Sequence, residues 1–168
     1  MEISADRVKE LRDKSGAGVM ECKRALVEAE GNLDRAMDLL KQQGLSQVSK
    51  RSGREAGQGI VEAYVHGGGR IGVLVEINCE TDFVARTDDF RVLAHDLAMQ
   101  IAATNPPSVG ELEAVAPTAD TPAEELPLLS QPFIKDPKRT VADLVRDTAA
   151  KTRENVVVRR FVRYELGG

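Results

Sequence analysis

The 168-residue chain contains no tryptophan, and phenylalanine and tyrosine together make up only 4% of it. Surfaces that stack nucleic-acid bases need exposed aromatic faces, so this composition argues against a base-stacking platform. The net charge of −4 also argues against general nucleic-acid binding, which depends on an excess of basic side chains. We therefore expect no direct nucleic-acid partner.

Residues that usually carry catalysis are scarce, since the chain has only two cysteines and two histidines. Cys22 and Cys79 form no CxxC pair and are expected to be reduced and buried. Neither histidine lies in a GxSxG, HExxH or Cys-His context. We expect no enzymatic activity, no metal, no bound cofactor and no small-molecule substrate.

Long hydrophobic runs are also missing, and no segment approaches the roughly 20 apolar residues of a membrane span. The sequence turns polar directly after Met1 and shows no signal-peptide pattern. With 42% hydrophobic and 30% charged residues, the composition is typical of a globular chain. The sequence thus predicts a cytoplasmic protein without a membrane partner.

Residues 1–45 are predicted to form three short amphipathic helices. Ser4 is a plausible N-cap, Gly31 ends the second helix and Gly44 ends the third. The apolar positions recur at helical spacing, and they are Val8, Leu11, Val19, Cys22, Leu26, Leu33, Ala36, Met37 and Leu40. Helices this short are not stable singly, so we expect one bundle. Residues 46–58 lack an apolar pattern and are predicted to be a linker.

Residues 59–168 are predicted to form an α+β core. Two strands begin near Ile60 and Ile71, and a helix begins after Thr87. A second helix follows the capping box at Thr140, after a proline-rich, irregular connection over residues 105–136. The last strand is expected to place five apolar side chains on one face, namely Val156, Val158, Val162, Tyr164 and Leu166. The expected architecture is a small antiparallel three-stranded sheet packed by helices, with two open edges.

The segment INCETDFVAR follows the second strand, and we call its residues 80–86 the Asp-Phe turn. In one interpretation Thr81 or Asp82 caps a short turn and Phe83 folds back onto the core. In the other, Phe83 is an exposed anchor and Asp82 carries charge into a partner, as at interface hot spots. The residues alone leave both interpretations open.

Two stretches resemble the signature segments of the bacterial elongation factor Ts family, the guanine-nucleotide exchange factors of elongation factor Tu. They are LRDKSGAGVMECKRAL at residues 11–26 and EINCETDFVAR at residues 76–86. Ser15 stands where the family more often has threonine. Residues 131–133 and 161–166 also resemble the family's C-terminal portion, so the resemblance covers most of the chain.

The resemblance implies an N-terminal ubiquitin-associated-like three-helix module followed by a mixed core. It also implies that Asp82 and Phe83, supported by Thr81 and Val84, enter the G domain of elongation factor Tu and displace its magnesium ion. Phe83 would enter an apolar pocket, and Asp82 would disturb the charges around the metal. Lys23 would make a secondary charged contact.

Three hypotheses follow for the function. The first is the exchange factor, and the second is a non-catalytic binding adaptor that acts through residues 1–45. The third is an enzyme that uses Cys79 or Cys22. Long family members carry two related core halves, whereas this chain has room for one, so the resemblance also implies a homodimer, formed through the C-terminal strand.

Overall fold

The computed structural model describes residues 3–112 and 120–168. Its helices are α1 (Ala5–Ser15), α2 (Val19–Glu28), α3 (Leu33–Arg51), α4 (Asp82–Ala85), α5 (Asp88–Thr104) and α6 (Val141–Thr152). Its strands are β1 (Gln58–His66), β2 (Ile71–Cys79), β3 (Pro132–Phe133), β4 (Asp136–Thr140) and β5 (Val157–Glu165). The chain divides into two compact units, Met1–Arg51 and Ser52–Gly168, and each is described by itself.

The first unit is a bundle of α1, α2 and α3. The Ser4 hydroxyl accepts a hydrogen bond from the Arg7 amide at the start of α1, and Gly16 ends this helix in the left-handed conformation. The buried side chains come from all three helices, and they are Val8, Leu11, Cys22, Ala25, Leu26, Ala29 and Ala36. The predicted helical module is therefore present.

Helix α3 is longer than predicted, because it continues through Gly44 to Arg51. A glycine inside a helix costs about 1 kcal/mol relative to alanine. The residues after Gly44 are mostly good helix formers, and Val48 among them is buried. Residues 46–51 of the predicted linker are thus helical.

The second unit is built on an antiparallel sheet with strand order β1-β2-β5. A turn of three glycines with positive φ, Gly67, Gly68 and Gly69, joins β1 to β2. Helix α5 packs against β1 and β2 and buries an apolar stripe that includes Phe90 and Ile101. On the sheet, Val73, Val75 and Ile77 are buried. The prediction of a three-stranded antiparallel sheet packed by helices is confirmed.

The prediction of one apolar face along β5 was wrong. The β2–β5 register shifts between Glu76 and Ile77, so Glu76 lies opposite Arg160 while Ile77 lies opposite Val158. The extra residue, Arg159, turns the strand over, because side chains alternate between faces. Val158 is consequently buried on the face of the sheet that α5 covers, whereas Val162 and Tyr164 lie on the opposite face and are exposed.

The proline-rich connection is more ordered than expected, although its residues 113–119 lie outside the described part of the chain. Two turns of 3-10 helix, Ala123–Glu125 and Leu128–Ser130, lead into a two-stranded sheet of β3 and β4. Leu126, Leu128 and Leu129 are buried. These apolar side chains explain how a segment without helix or strand periodicity still packs.

Candidate functional site

The Asp-Phe turn begins where β2 ends, and buried side chains hold it on both sides. Ile77 and Cys79 at the end of β2 are fully buried, and so is most of Ala85. Thr81 is the N-cap of α4, and its hydroxyl oxygen accepts a hydrogen bond from the Val84 amide at 3.4 Å. Helix α4 packs against β1, β2 and α5. The turn is therefore a fixed part of the core's edge.

Phe83 projects from this turn into solvent with 78% of its surface exposed. No other large hydrophobic side chain in residues 3–112 and 120–168 is as exposed. The capping interpretation holds for Thr81, but Phe83 does not fold back onto the core. Thr81 and Val84 are half-buried beside it.

Asp82 lies beside Phe83 and forms an ion pair with Arg86, with 2.9 Å between Oδ2 and Nη2. Both side chains are at least half exposed, so the pair contributes about 0–1 kcal/mol. An interaction this weak leaves the Asp82 carboxylate available to a partner. The turn thus presents an aromatic ring and a negative charge side by side.

The turn is also tied to the junction between α6 and β5. The Glu80 and Thr81 amides both donate to Glu154 Oε2 at 3.0 Å, and the Thr81 hydroxyl donates to Glu154 Oε1 at 2.6 Å. In return, Glu80 Oε1 accepts from the Asn155 amide at 2.7 Å. Glu154 and Asn155 belong to no local motif of the sequence, since 73 residues separate Thr81 from Glu154.

Cys79 precedes the turn and is shielded from solvent. Burial and the nearby Glu154 carboxylate raise the pKa of the Cys79 thiol to about 11. The thiol donates to the Thr81 carbonyl oxygen at 3.1 Å. A nucleophilic cysteine needs an accessible thiolate. This environment therefore speaks against the hypothesis of an enzyme that uses Cys79.

In the first unit, α2 carries a shallow exposed groove. Met20 and Val27 supply its apolar part, and the charged lining residues are Lys23, Arg24 and Glu28. Met20 and Val27 are both more than half exposed. Lys23, the predicted secondary contact, thus lies on the surface beside two exposed apolar side chains.

Comparison with known proteins identifies the family. A family model described as "Elongation factor TS" matches residues 45–116, a range that contains the Asp-Phe turn. Elongation factor Ts of Carboxydothermus hydrogenoformans is 49% identical, over 98% of this chain and 89% of that protein. The proteins of the same name from Caldanaerobacter subterraneus and Moorella thermoacetica are 46% and 47% identical, each over 98% of this chain and at least 96% of theirs.

The chain belongs to the elongation factor Ts family. The resemblance that the sequence analysis drew from residues 11–26 and 76–86 is thereby confirmed. As a member of this family, the chain is a translation elongation factor.

Two further findings concern metal sites and membrane spans in the part of the chain that the structure describes. No three histidine, cysteine, aspartate or glutamate side chains there are grouped so that they could hold a metal ion. Among the same residues, no helix is both long and apolar enough to cross a membrane.

Proposed function

We propose that this elongation factor Ts homologue is a guanine-nucleotide exchange factor that binds elongation factor Tu in its GDP form. It promotes GDP release, so that GTP can bind. The observation that carries the proposal is the exposure of Phe83 on a turn whose backbone is fixed by the core. A cytoplasmic setting follows from this role.

Phe83 acts as the apolar anchor of the complex. Full burial of a phenylalanine side chain contributes about 1.5–3 kcal/mol. In the free protein most of that contribution is unused, because the ring faces water. An apolar pocket in the G domain of elongation factor Tu would gain it, and the backbone of the turn needs no rearrangement to deliver the ring.

Asp82 supplies the charge that disturbs the magnesium site of elongation factor Tu. Magnesium binds the nucleotide phosphates and neutralises their charge. A carboxylate brought close to that site competes for the same positive charge and hydrogen-bond donors. Loss of the ion then weakens GDP binding. Thr81 and Val84 keep Asp82 and Phe83 in place through the cap of α4.

The proposed role requires no bond chemistry, so the chain needs no cofactor and no small-molecule substrate of its own. If the factor lowers the affinity of elongation factor Tu for nucleotide, then nucleotide must lower the affinity of elongation factor Tu for the factor by the same ratio. Incoming GTP therefore displaces the factor. The protein stabilises a nucleotide-free state of its partner rather than a chemical transition state.

A second contact comes from the groove on α2. Its exposed Met20 and Val27 side chains, with Lys23 and Arg24 beside them, suit an apolar and acidic patch on elongation factor Tu. Such a contact adds affinity without touching the nucleotide site.

The exchange role is tested by GDP release from elongation factor Tu. When the concentration of this protein limits the rate, Phe83→Ala and Asp82→Ala should each slow the stimulated GDP release. The expected slowing is about 10- to 100-fold for Phe83→Ala. Val92→Ala, which trims an exposed valine on α5, should leave the rate unchanged. Release at the normal rate by the Asp82→Ala/Phe83→Ala double variant would contradict the proposed roles of Phe83 as anchor and Asp82 as disturbing charge.

The binding adaptor is the second candidate, favoured by the exposed groove on α2. It predicts that Lys23→Glu abolishes binding to elongation factor Tu and that Phe83→Ala has no effect. The exchange-factor proposal predicts instead that Phe83→Ala slows GDP release more than Lys23→Glu does. Binding and release measured on the same two variants separate the two candidates.

We also propose that two copies associate through the outer face of the sheet, which we define as the face opposite α5. Its exposed apolar side chains are Val61, Val65, Leu74, Val162 and Tyr164. Near the middle of this face, Glu76 accepts from Arg160 at 2.7 Å and is thereby paired within the chain. An apolar face with its central charge already paired suits a symmetric contact with a second copy.

A further inference from the structure

Glu154 lies between α6 and β5, directly after Arg153, whose left-handed backbone ends α6. Its carboxylate accepts three hydrogen bonds from the Asp-Phe turn. The donors are two backbone amides, of Glu80 and Thr81, and the Thr81 hydroxyl. One side chain from the end of the chain therefore satisfies three donors that immediately precede Asp82 and Phe83.

The Thr81 hydroxyl has a single hydrogen, and its contacts fix where that hydrogen points. It is donated to Glu154 at 2.6 Å, which leaves the oxygen as acceptor for the Val84 amide. The cap of α4 thus depends on the orientation that Glu154 imposes on the hydroxyl. Val84 follows Phe83, so these hydrogen bonds fix the backbone on both sides of Asp82 and Phe83.

Helix α4 needs support from outside, because it has only four residues. A single turn fixes several dihedral angles for very few hydrogen bonds and does not persist alone. Asn155 extends the support, because its side-chain amide donates to the Arg54 carbonyl at 2.8 Å and the Ser52 carbonyl at 3.3 Å. The junction between α6 and β5 therefore connects the turn to the segment that precedes β1.

We propose that Glu154 is a positioning residue that holds the Asp-Phe turn in its binding conformation before the partner arrives. The inference rests on the proposed exchange function. A turn that is already ordered loses less conformational entropy on binding, so the complex forms more tightly. Glu154 acts through Thr81 and the backbone and makes no contact with the partner.

The test compares Glu154→Ala and Glu154→Gln in the full chain. Glutamine keeps one oxygen for the two amides and offers its NH2 group to the Thr81 hydroxyl oxygen. When the concentration of this protein limits the rate, we expect Glu154→Ala to slow stimulated GDP release by about tenfold and Glu154→Gln to retain most of the rate. Glu62→Ala, which removes a carboxylate that contacts His95 rather than the Asp-Phe turn, should have no effect.

A double-mutant cycle with Phe83→Ala separates positioning from general stability. If Glu154 acts by placing Phe83, Glu154→Ala should slow release by less than about twofold in a chain that already lacks the ring. Amide hydrogen exchange in the free protein gives a readout without activity. Protection at Glu80, Thr81 and Val84 should fall in Glu154→Ala, while amides of α5 keep theirs.

Two results overturn the proposal. One is an equal slowing by Glu154→Ala in the presence and absence of Phe83, and the other is unchanged protection of the turn amides. If the unaltered chain does not stimulate GDP release, the exchange function itself fails, and the positioning role fails with it. If the unaltered chain stimulates GDP release but Glu154→Ala and Phe83→Ala slow it independently of each other, only the positioning role fails.

Discussion

Phe83 and Gln131 show two opposite ways in which single side chains depart from the expected pattern of burial. Phe83 is apolar and faces water, whereas Gln131 is polar and fully buried. The exposed ring sits on a turn whose neighbours are buried, so local sequence alone does not distinguish it from a core residue. Gln131 is the reverse case, and its burial is explained by complete hydrogen bonding.

Gln131 uses all its side-chain hydrogen-bonding groups. Its Oε1 accepts from Gln100 Nε2 at 3.0 Å and from the Thr104 hydroxyl at 2.8 Å. Its Nε2 donates to the carbonyls of Ala123 at 3.0 Å and Leu126 at 3.1 Å. The network joins α5 to the proline-rich connection and adds polar contacts to the buried leucines that hold this segment.

Replacing Gln131 with alanine should lower the free energy of unfolding by about 2–4 kcal/mol, because it leaves buried donors and acceptors without partners. Urea denaturation measures the change. Gln58→Ala removes an exposed glutamine from β1 of the same unit and should change the stability by no more than about 0.5 kcal/mol. Equal stability of the two variants would show that the network contributes nothing net.

At the scale of elements, α6 begins with the capping box that the sequence predicted. The Thr140 amide donates to Asp143 Oδ2 at 2.9 Å, and the Asp143 amide donates to the Thr140 hydroxyl at 3.2 Å. Burial by itself would raise the pKa of Asp143, but the bonds from Thr140 and the nearby Arg146 guanidinium lower it overall. Asp143 thus binds its proton more weakly in the folded chain than in the unfolded one.

A lowered carboxyl pKa adds stability above the unfolded pKa, and this stability is lost as the pH falls through the folded pKa. At pH 7, Asp143→Asn should therefore lower the free energy of unfolding by about 0.5–1 kcal/mol, a small value because the side chain is partly exposed. The difference from the unaltered chain should shrink below about pH 4. Urea titrations between pH 7 and pH 2 measure it.

Asp120→Asn is the control for this titration, since Asp120 is exposed and lies outside every helix and strand. Its stability should follow that of the unaltered chain at each pH. A deficit for Asp143→Asn that stays constant down to pH 2 would mean that the carboxylate's charge has no part in the cap.

Periodicity and capping residues were sufficient to predict α1, α2, α5, α6 and the three long strands. They failed where tertiary contacts override the local pattern. The bulge at Arg159 reverses the faces of β5, and Arg163 consequently lies inside, donating to the Ala102 carbonyl of α5. Helix α3 extends past Gly44 for a different reason, since the helix-forming residues around Gly44 outweigh one unfavourable residue.

The candidate site was predicted only in part for a comparable reason. The motif at residues 80–86 is contiguous, so the sequence could single out Thr81, Asp82, Phe83 and Val84. Glu154 and Asn155 reach the turn only through the fold and belong to no local motif. In the sequence, a glutamate in an irregular junction cannot be distinguished from an exposed acid, because the amides that donate hydrogen bonds to it are distant along the chain.

For the whole molecule, the division into two units matters for function. Met1–Arg51 carries the groove on α2, and Ser52–Gly168 carries the Asp-Phe turn. Each unit has its own buried core. Two separate contacts on one partner increase affinity through effective concentration, even when each contact is weak.

On the outer face of the sheet, several apolar side chains are exposed to solvent. Val65 on β1 and Tyr164 on β5 are both about two-thirds exposed or more, and both lie opposite Gly72 of β2. In a symmetric dimer the same patch meets itself, so one substitution acts twice in each interface. A charge placed on this face therefore disrupts association more than it disrupts the fold.

Tyr164→Asp should convert the proposed dimer to a monomer of 18.3 kDa, as measured by light scattering at micromolar concentration. Val92→Asp introduces the same charge on α5, outside the outer face, and should leave the dimer intact. Circular dichroism spectra of both variants should match that of the unaltered chain, because the side chains at both positions are exposed. A monomeric mass for the unaltered chain with full exchange activity would contradict the dimer, since one copy would then be sufficient.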